Sequence, residues 1–182
     1  MARQYLMDAG PVEPAITDPL SADVATTAVG MWNSQRYTPI FAYDPRPGKI
    51  YIVEAGGLIT TAATGALTIS PSISTTNASG TTLGASIAQT VPVSSLSGPW
   101  SLRMVLTVLT TGNPGGTNAT IKGTGWFLSG GVAATANSGL NVQFGGTSAA
   151  FDQSVNQTIW ISKTLSVAGS FTTQWVFIHS PN

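Results

Sequence analysis

The residues able to do acid, base or nucleophilic chemistry in this chain are few enough to consider one by one. His179 is the only histidine, and there is no cysteine. A Ser–His–Asp arrangement would have to combine His179 with Asp152, and no G-x-S-x-G nucleophile elbow is present to present a serine to them. A carboxylate pair for acid–base work would have to use Asp44, Glu54 or Asp152. One histidine without thiolates leaves only an oxygen-ligand calcium site, and no D-x-[DN]-x-[DN]-G loop occurs. The expectation is a protein without a catalytic residue, a metal or a cofactor, in which His179 is a strand residue near a rim or a subunit interface.

Two other features suggest ligands. The run Asn113-Pro114-Gly115-Gly116 has the glycines of a phosphate-cradling loop, but such a loop opens a helix, and here more strand follows. It reads as a hairpin connection, Pro fixing φ and Gly allowing positive φ. Five tryptophans, Trp32, Trp100, Trp126, Trp160 and Trp175, would suit a sugar-stacking platform. Trp160 and Trp175 lie among apolar neighbours and read as core or interface. Trp100 follows Gly98-Pro99 at an apparent strand start and is expected to be the exposed one.

The elements that must position these residues are strands. Runs over 38–43, 49–60, 66–75, 81–88, 100–111, 119–129, 139–145, 155–166 and 171–180 have strand composition. Turn chemistry separates them at Pro45-Arg46-Pro47-Gly48, Asn77-Ala78-Ser79-Gly80, Ser97-Gly98-Pro99, 113–116 and Ala168-Gly169-Ser170. The fold class is all-β, and eight or nine such strands predict a two-sheet β-sandwich or jelly roll. Residues 1–37, with Pro11, Pro14 and Pro19, read instead as an extended N-terminal arm with one short helical turn near 22–31, held down by the body or by neighbouring subunits. Residues 38–182 form the sandwich domain.

Period-two alternation puts Leu102, Met104, Leu106 and Val108 on one face, and Arg103, Val105, Thr107 and Leu109 on the other. Trp175, Phe177 and His179 likewise alternate with Val176 and Ile178. Both faces are partly apolar, whereas a simple sandwich needs only its inner face so. The second face calls for a cover, and a closed oligomer would supply one.

Charge points the same way. The 182 residues include seven Lys or Arg and seven Asp or Glu. Arg3, Asp8, Glu13, Asp18, Asp23, Arg36, Asp44, Arg46, Lys49 and Glu54 lie in the first 54 positions, leaving Arg103, Lys122, Asp152 and Lys163 for the rest. No basic footprint offers itself to a phosphate backbone, so nucleic acid is not an expected partner. A soluble monomer usually places charge at about 25% of its surface positions or more. Much of this surface is therefore expected to face other protein. No run approaches the roughly 20 apolar residues of a membrane helix, and the N-terminus lacks the apolar core of a secretory signal, which predicts synthesis in a cytoplasm.

The succession GKIYIVEAGGLITTAATGALTISPSIS (48–74), GPWSLRMVLTVLTTG (98–112), IKGTGWFLSGG (121–131), QTIWISKTLS (157–166) and TTQWVFIHSPN (172–182) resembles the jelly-roll virion proteins of tailed bacteriophages. These serve as trimeric head decoration (cement) proteins or as minor tail components. The resemblance implies a sandwich of the tumour necrosis factor type and a homotrimer on the capsid surface, with the major capsid protein as partner. On that reading Tyr5, Leu6, Met7, Ile16 and Leu20 anchor the arm to a neighbour, while Leu106, Trp160, Trp175 and Phe177 fill core or trimer contacts. The alternatives are a tail or baseplate protein touching the host surface, or, in a different class, a polysaccharide-binding module.

Overall fold

The computed structural model describes residues 25–32, 34–61, 64–91, 94–112, 119–130, 140–167 and 169–181. The described strands are β1 (Ala25–Gly30), β2 (Pro39–Ile40), β3 (Ile50–Thr61), β4 (Gly65–Ser74), β5 (Thr81–Thr82), β6 (Gln89–Val91), β7 (Ser94–Thr110), β8 (Ala119–Ser129), β9 (Leu140–Phe151), β10 (Gln157–Leu165) and β11 (Phe171–His179). One helical turn, α1 (Ser34–Tyr37), sits between β1 and β2. The chain is all-β, with two antiparallel sheets, consistent with a β-sandwich.

One sheet runs β11–β3–β7–β8–β9. The other is four strands wide: β10 and β4 form its middle, β1 and β2 share the outer side of β10, and β5 and β6 share the outer side of β4. β7 and β8 pair as expected of a hairpin, with Val108 opposite Ile121, and their connection at 113–118 lies outside the described residues.

Alternation in sequence becomes two-sidedness in space. Leu102, Met104, Leu106 and Val108 of β7 all point into the core and are buried, while Arg103 and Leu109 are exposed. From the facing sheet come Leu67, Ile69 and Ile73 of β4 and Ile159, Ile161 and Leu165 of β10. Lys163 occupies the inward position between Ile161 and Leu165, is 1% exposed, and holds its Nζ 4.3 Å from the Phe171 ring centroid. A lysine side chain end over an aromatic face is a cation–π geometry.

Both sides of the sandwich are closed. Met31 and Trp32, buried in the core, cross from the β10 side to β11, where the Thr173 hydroxyl donates to the Met31 carbonyl at 2.6 Å. Opposite, the Gly145 N–H of β9 donates to the Gly84 carbonyl at 2.7 Å, and Thr147 N–H to Leu83 at 3.1 Å.

Several expectations are corrected here. Ala25–Gly30, expected within the arm and partly helical, is a strand paired with β10. The β-branched residue types at 26, 27 and 29 favour that state, and among the described residues the helical turn falls at Ser34–Tyr37. The 81–88 run is not one strand: Gly84, at φ 101°, breaks it and sends Leu83 into the core. Ser97-Gly98-Pro99 is not a turn but part of β7. Proline is tolerated there because its carbonyl accepts from Gly130 N–H, just past the end of β8, so the missing N–H falls where the partner strand has finished.

Trp100 is therefore not exposed. It is 3% accessible and stacks on Phe171 (centroids 4.8 Å apart) and Phe127 (5.5 Å). Its indole N–H lies 3.2 Å from both the Leu58 and the Thr172 carbonyl oxygens. Trp100→Ala is expected to cost about 3–5 kcal/mol of unfolding free energy, and Trp100→Phe, which keeps a ring but abandons the carbonyls, about 1–3 kcal/mol. Urea titration followed by circular dichroism checks both; losses within about 0.5 kcal/mol, as at an ordinary surface position, would show that Trp100 does not organise the core.

Candidate functional site

The register of the five-stranded sheet sets its outward residues in cross-strand rows. One row reads Phe177 (β11), Glu54 (β3), Arg103 (β7), Trp126 (β8) and Gln143 (β9). The row beside it reads Trp175, Gly56, Ser101, Leu128 and Asn141, and the row on the other side His179, Ile52, Val105, Thr124 and Gly145.

This face is apolar and aromatic for a surface. Phe177 is 44% exposed, Trp126 38% and Leu128 40%. Trp175 lies flat over Gly56, where any Cβ would collide with its ring, and its centroid is 5.6 Å from that of Phe177. Glu54 Oε1 and Arg103 Nε are 3.4 Å apart, and the Arg103 guanidinium carbon stands 5.8 Å from the Trp126 ring centroid. Both partners are well exposed, so the ion pair contributes at most about 1 kcal/mol. Its consequence is orientation: Arg103 is held between a carboxylate and an indole.

A polar cluster occupies the end of the sandwich where β3 begins. The Pro45–Gly48 turn folds Lys49 back on Asp44, and Lys49 Nζ pairs with one carboxylate oxygen of Asp44. The Tyr51 hydroxyl donates to the other at 2.7 Å. Beside them is a cavity of about 350 Å³, walled also by Phe41, Tyr43, Arg46 and His179. Tyr43 adopts φ 60°, uncommon for a residue with a Cβ, and its N–H donates to the Gln153 carbonyl at 2.8 Å. Strain of this kind persists only where surrounding bonds hold it.

Both Asp44 oxygens are engaged, and the carboxylate anchors Lys49 and Tyr51. His179 lines the cavity with Asp44, and Asp152 Oδ1 accepts from the N–H and hydroxyl of Ser154 at 2.8 and 2.6 Å. The Ser154 hydroxyl, then its backbone N–H, holds the Asp152 carboxyl below its usual range. Among the described residues, no group of three or more His, Cys, Asp and Glu is placed to hold a metal ion, and no helix is long and apolar enough to cross a membrane.

The residues singled out from sequence are distributed as follows. Leu106 is fully buried in the core. Trp160 is 6% exposed, on the face of β10 away from the core, with its Nε1 against Gly30. Trp175 and Phe177 belong to the outer aromatic face. Tyr5, Leu6, Met7, Ile16 and Leu20 lie outside the described residues. Sequence reasoning named Trp126 among the five tryptophans without placing it on the outer face, and overlooked the Asp44–Lys49–Tyr51 cluster. The signals were the strand run 119–129, which places Trp126 at the outward parity of Lys122 and Thr124, and the turn that brings Lys49 near Asp44. Compared with protein families, curated proteins and solved structures, the chain matches none.

Burial, and then the hydrogen bond to and charge of Asp44, push the Tyr51 phenol above its ordinary pKa of about 10. The folded state then holds the proton more tightly than the unfolded chain, so stability is full below about pH 10 and falls as pH rises beyond it. Thermal unfolding measured from neutral to strongly alkaline pH is expected to show this decline, and Tyr51→Phe to make it shallower above about pH 10. An equal slope in wild type and variant would show that Tyr51 ionises freely.

Proposed function

We propose that this chain is a structural virion protein of a tailed bacteriophage, a head decoration (cement) protein that sits on the capsid surface as a homotrimer and binds the major capsid protein. The observation that carries the reading is the outer face of the five-stranded sheet, where the half-buried Trp175 lies beside the exposed Phe177. Contiguous apolar surface of this kind on a soluble chain marks an interaction site. Five strands about 4.8 Å apart, over the nine residues of β11 at about 3.3 Å each, present roughly 600 Å² in projection. That approaches the about 800 Å² per partner of a specific interface.

Within this proposal the sandwich is a jelly roll of the tumour necrosis factor type, and the β7–β8–β9 meander is the feature that such a type must accommodate. The β11 end of the face makes the threefold contact, and the arm supplies Tyr5, Leu6, Met7, Ile16 and Leu20 to a neighbour. Stabilisation follows from mass action: a protein that binds only the assembled lattice shifts the equilibrium toward it, by about 2.7 kcal/mol per site at a free concentration one hundred times Kd.

Light scattering on the purified chain is expected to give about three times 18.7 kDa, and Phe177→Lys, at an exposed position, to give a folded monomer. Deletion of residues 1–20, which spares β1, is expected to abolish saturable binding to bare capsids. A wild-type chain that remains monomeric and leaves capsids undecorated would overturn the reading.

A further inference from the structure

On the same outer face, but at the β8–β9 end, an open groove of about 640 Å³ runs between the sheet and segment 85–87. That volume lies within the about 300–1,000 Å³ of small-molecule sites. Its make-up is a consequence of local backbone. Between Lys122 and Thr124 of β8, partnered by Ser148 and Gly145, β9 carries one extra residue. Gly145 and Gly146 take φ of 92° and 96° to accommodate it. The Gly145 N–H then reaches the Gly84 carbonyl, which fixes 85–87 as the second wall, with Ile87 82% exposed at its crest. Bulges are over-represented where a surface must be re-aimed beside a site.

The groove's chemistry selects a class of ligand. Its apolar surface is the Trp126 indole with Leu128 and Ile87, and its polar surface is the Thr124 hydroxyl and the Asn141 and Gln143 amides. None of the described lining residues is charged. Amides both donate and accept hydrogen bonds, as do hydroxyl groups, and the electron-rich face of an indole complements the weakly positive C–H face of a sugar ring. Trp126 is also oriented in advance, because Arg103, fixed by Glu54, packs against it. A side chain already held in its binding position loses less freedom when ligand arrives.

We propose that the Trp126 groove binds a neutral carbohydrate chain, with Trp126 as the stacking platform and Asn141 and Gln143 as the hydroxyl partners. The site is three strand spacings, about 14 Å, from Phe177, and its sugar binding is read separately from the subunit contact proposed above.

Isothermal titration of the full-length chain with cellohexaose, maltohexaose, xylohexaose, mannohexaose and chitohexaose, and with heparin hexasaccharide as the anionic probe, tests this. At least one neutral hexasaccharide is expected to bind with Kd between about 10 μM and 1 mM, unchanged between about 0.05 and 0.5 M NaCl because no charge is involved. Trp126→Ala is expected to weaken that binding about tenfold or more, and Gln143→Ala to weaken it less. Near-ultraviolet circular dichroism establishes that each variant is folded; should Trp126→Ala not fold, Gln143→Ala carries the test. No binding to any neutral probe, binding of heparin alone with loss at high salt, or binding untouched in the folded variants would each overturn the proposal. A Trp126→Ala variant that changes oligomeric mass and not sugar binding would also overturn it, assigning the groove to subunit contact.

Discussion

A single indole N–H and the backbone irregularity that receives it determine much of this molecule. β11 pairs regularly with β3 as far as Thr173, then carries the extra residue Gln174 before pairing resumes at Trp175 opposite Gly56. Phe171 and Thr173 point into the core on one side of the bulge, Val176 and Ile178 on the other. Without the extra residue, period two would carry Trp175 and Phe177 inward after Thr173. The disrupted ladder leaves the Leu58 and Thr172 carbonyls oriented toward the same interior point, where the Trp100 N–H meets both. Gly57 is required there, since a Cβ would run into the Thr172 carbonyl. One local defect thus builds the aromatic centre of the core and turns two further aromatics to the surface.

Scarcity of charge gives the remaining polar contacts a positional role. Asp44 joins the turn before β3 to β3 itself through Lys49 and Tyr51, and Ser34 ties α1 to Asn77 and Thr158 by hydrogen bonds of 2.8 to 3.1 Å. The Asp44 contacts are local, five and seven residues apart, whereas the Ser34 bonds join segments 43 and 124 residues apart. Buried polar groups without partners are costly, so such bonds favour one arrangement of the loops over others.

Period-two patterns carried most of the fold. The two faces of 102–109 and 174–179 were readable because strand side chains alternate without exception between bulges, and 119–129 coincides with β8. What failed is what depends on partners distant in sequence. Gly98-Pro99 has turn composition, and only the end of β8 opposite Pro99 makes it strand. Gln174 bears no mark of a bulge, since Thr-Thr-Gln-Trp contains neither glycine nor proline. The paired aromatics Trp175 and Phe177 were legible as a face. The row joining Phe177, Glu54, Arg103, Trp126 and Gln143 was not, because it exists only once five strands are in register.

The places where this sandwich is covered and uncovered constrain how it could associate. Each outer side of the six-stranded sheet is divided between two short strands, β1 and β2 on one, β5 and β6 on the other. Short, interrupted edges are poor templates for strand addition. The side of β10 turned away from the core is also covered, with Thr158, Trp160 and Ser162 between 1% and 6% exposed. The five-stranded sheet is the opposite case, its outward row exposing Phe177 and Trp126 around one weak ion pair. Association through the described surface is therefore favoured face-on. Face-on packing depends on side-chain complementarity and not on backbone pairing, so the aromatic rows, and the bulge that turns them outward, are where partner choice would be encoded.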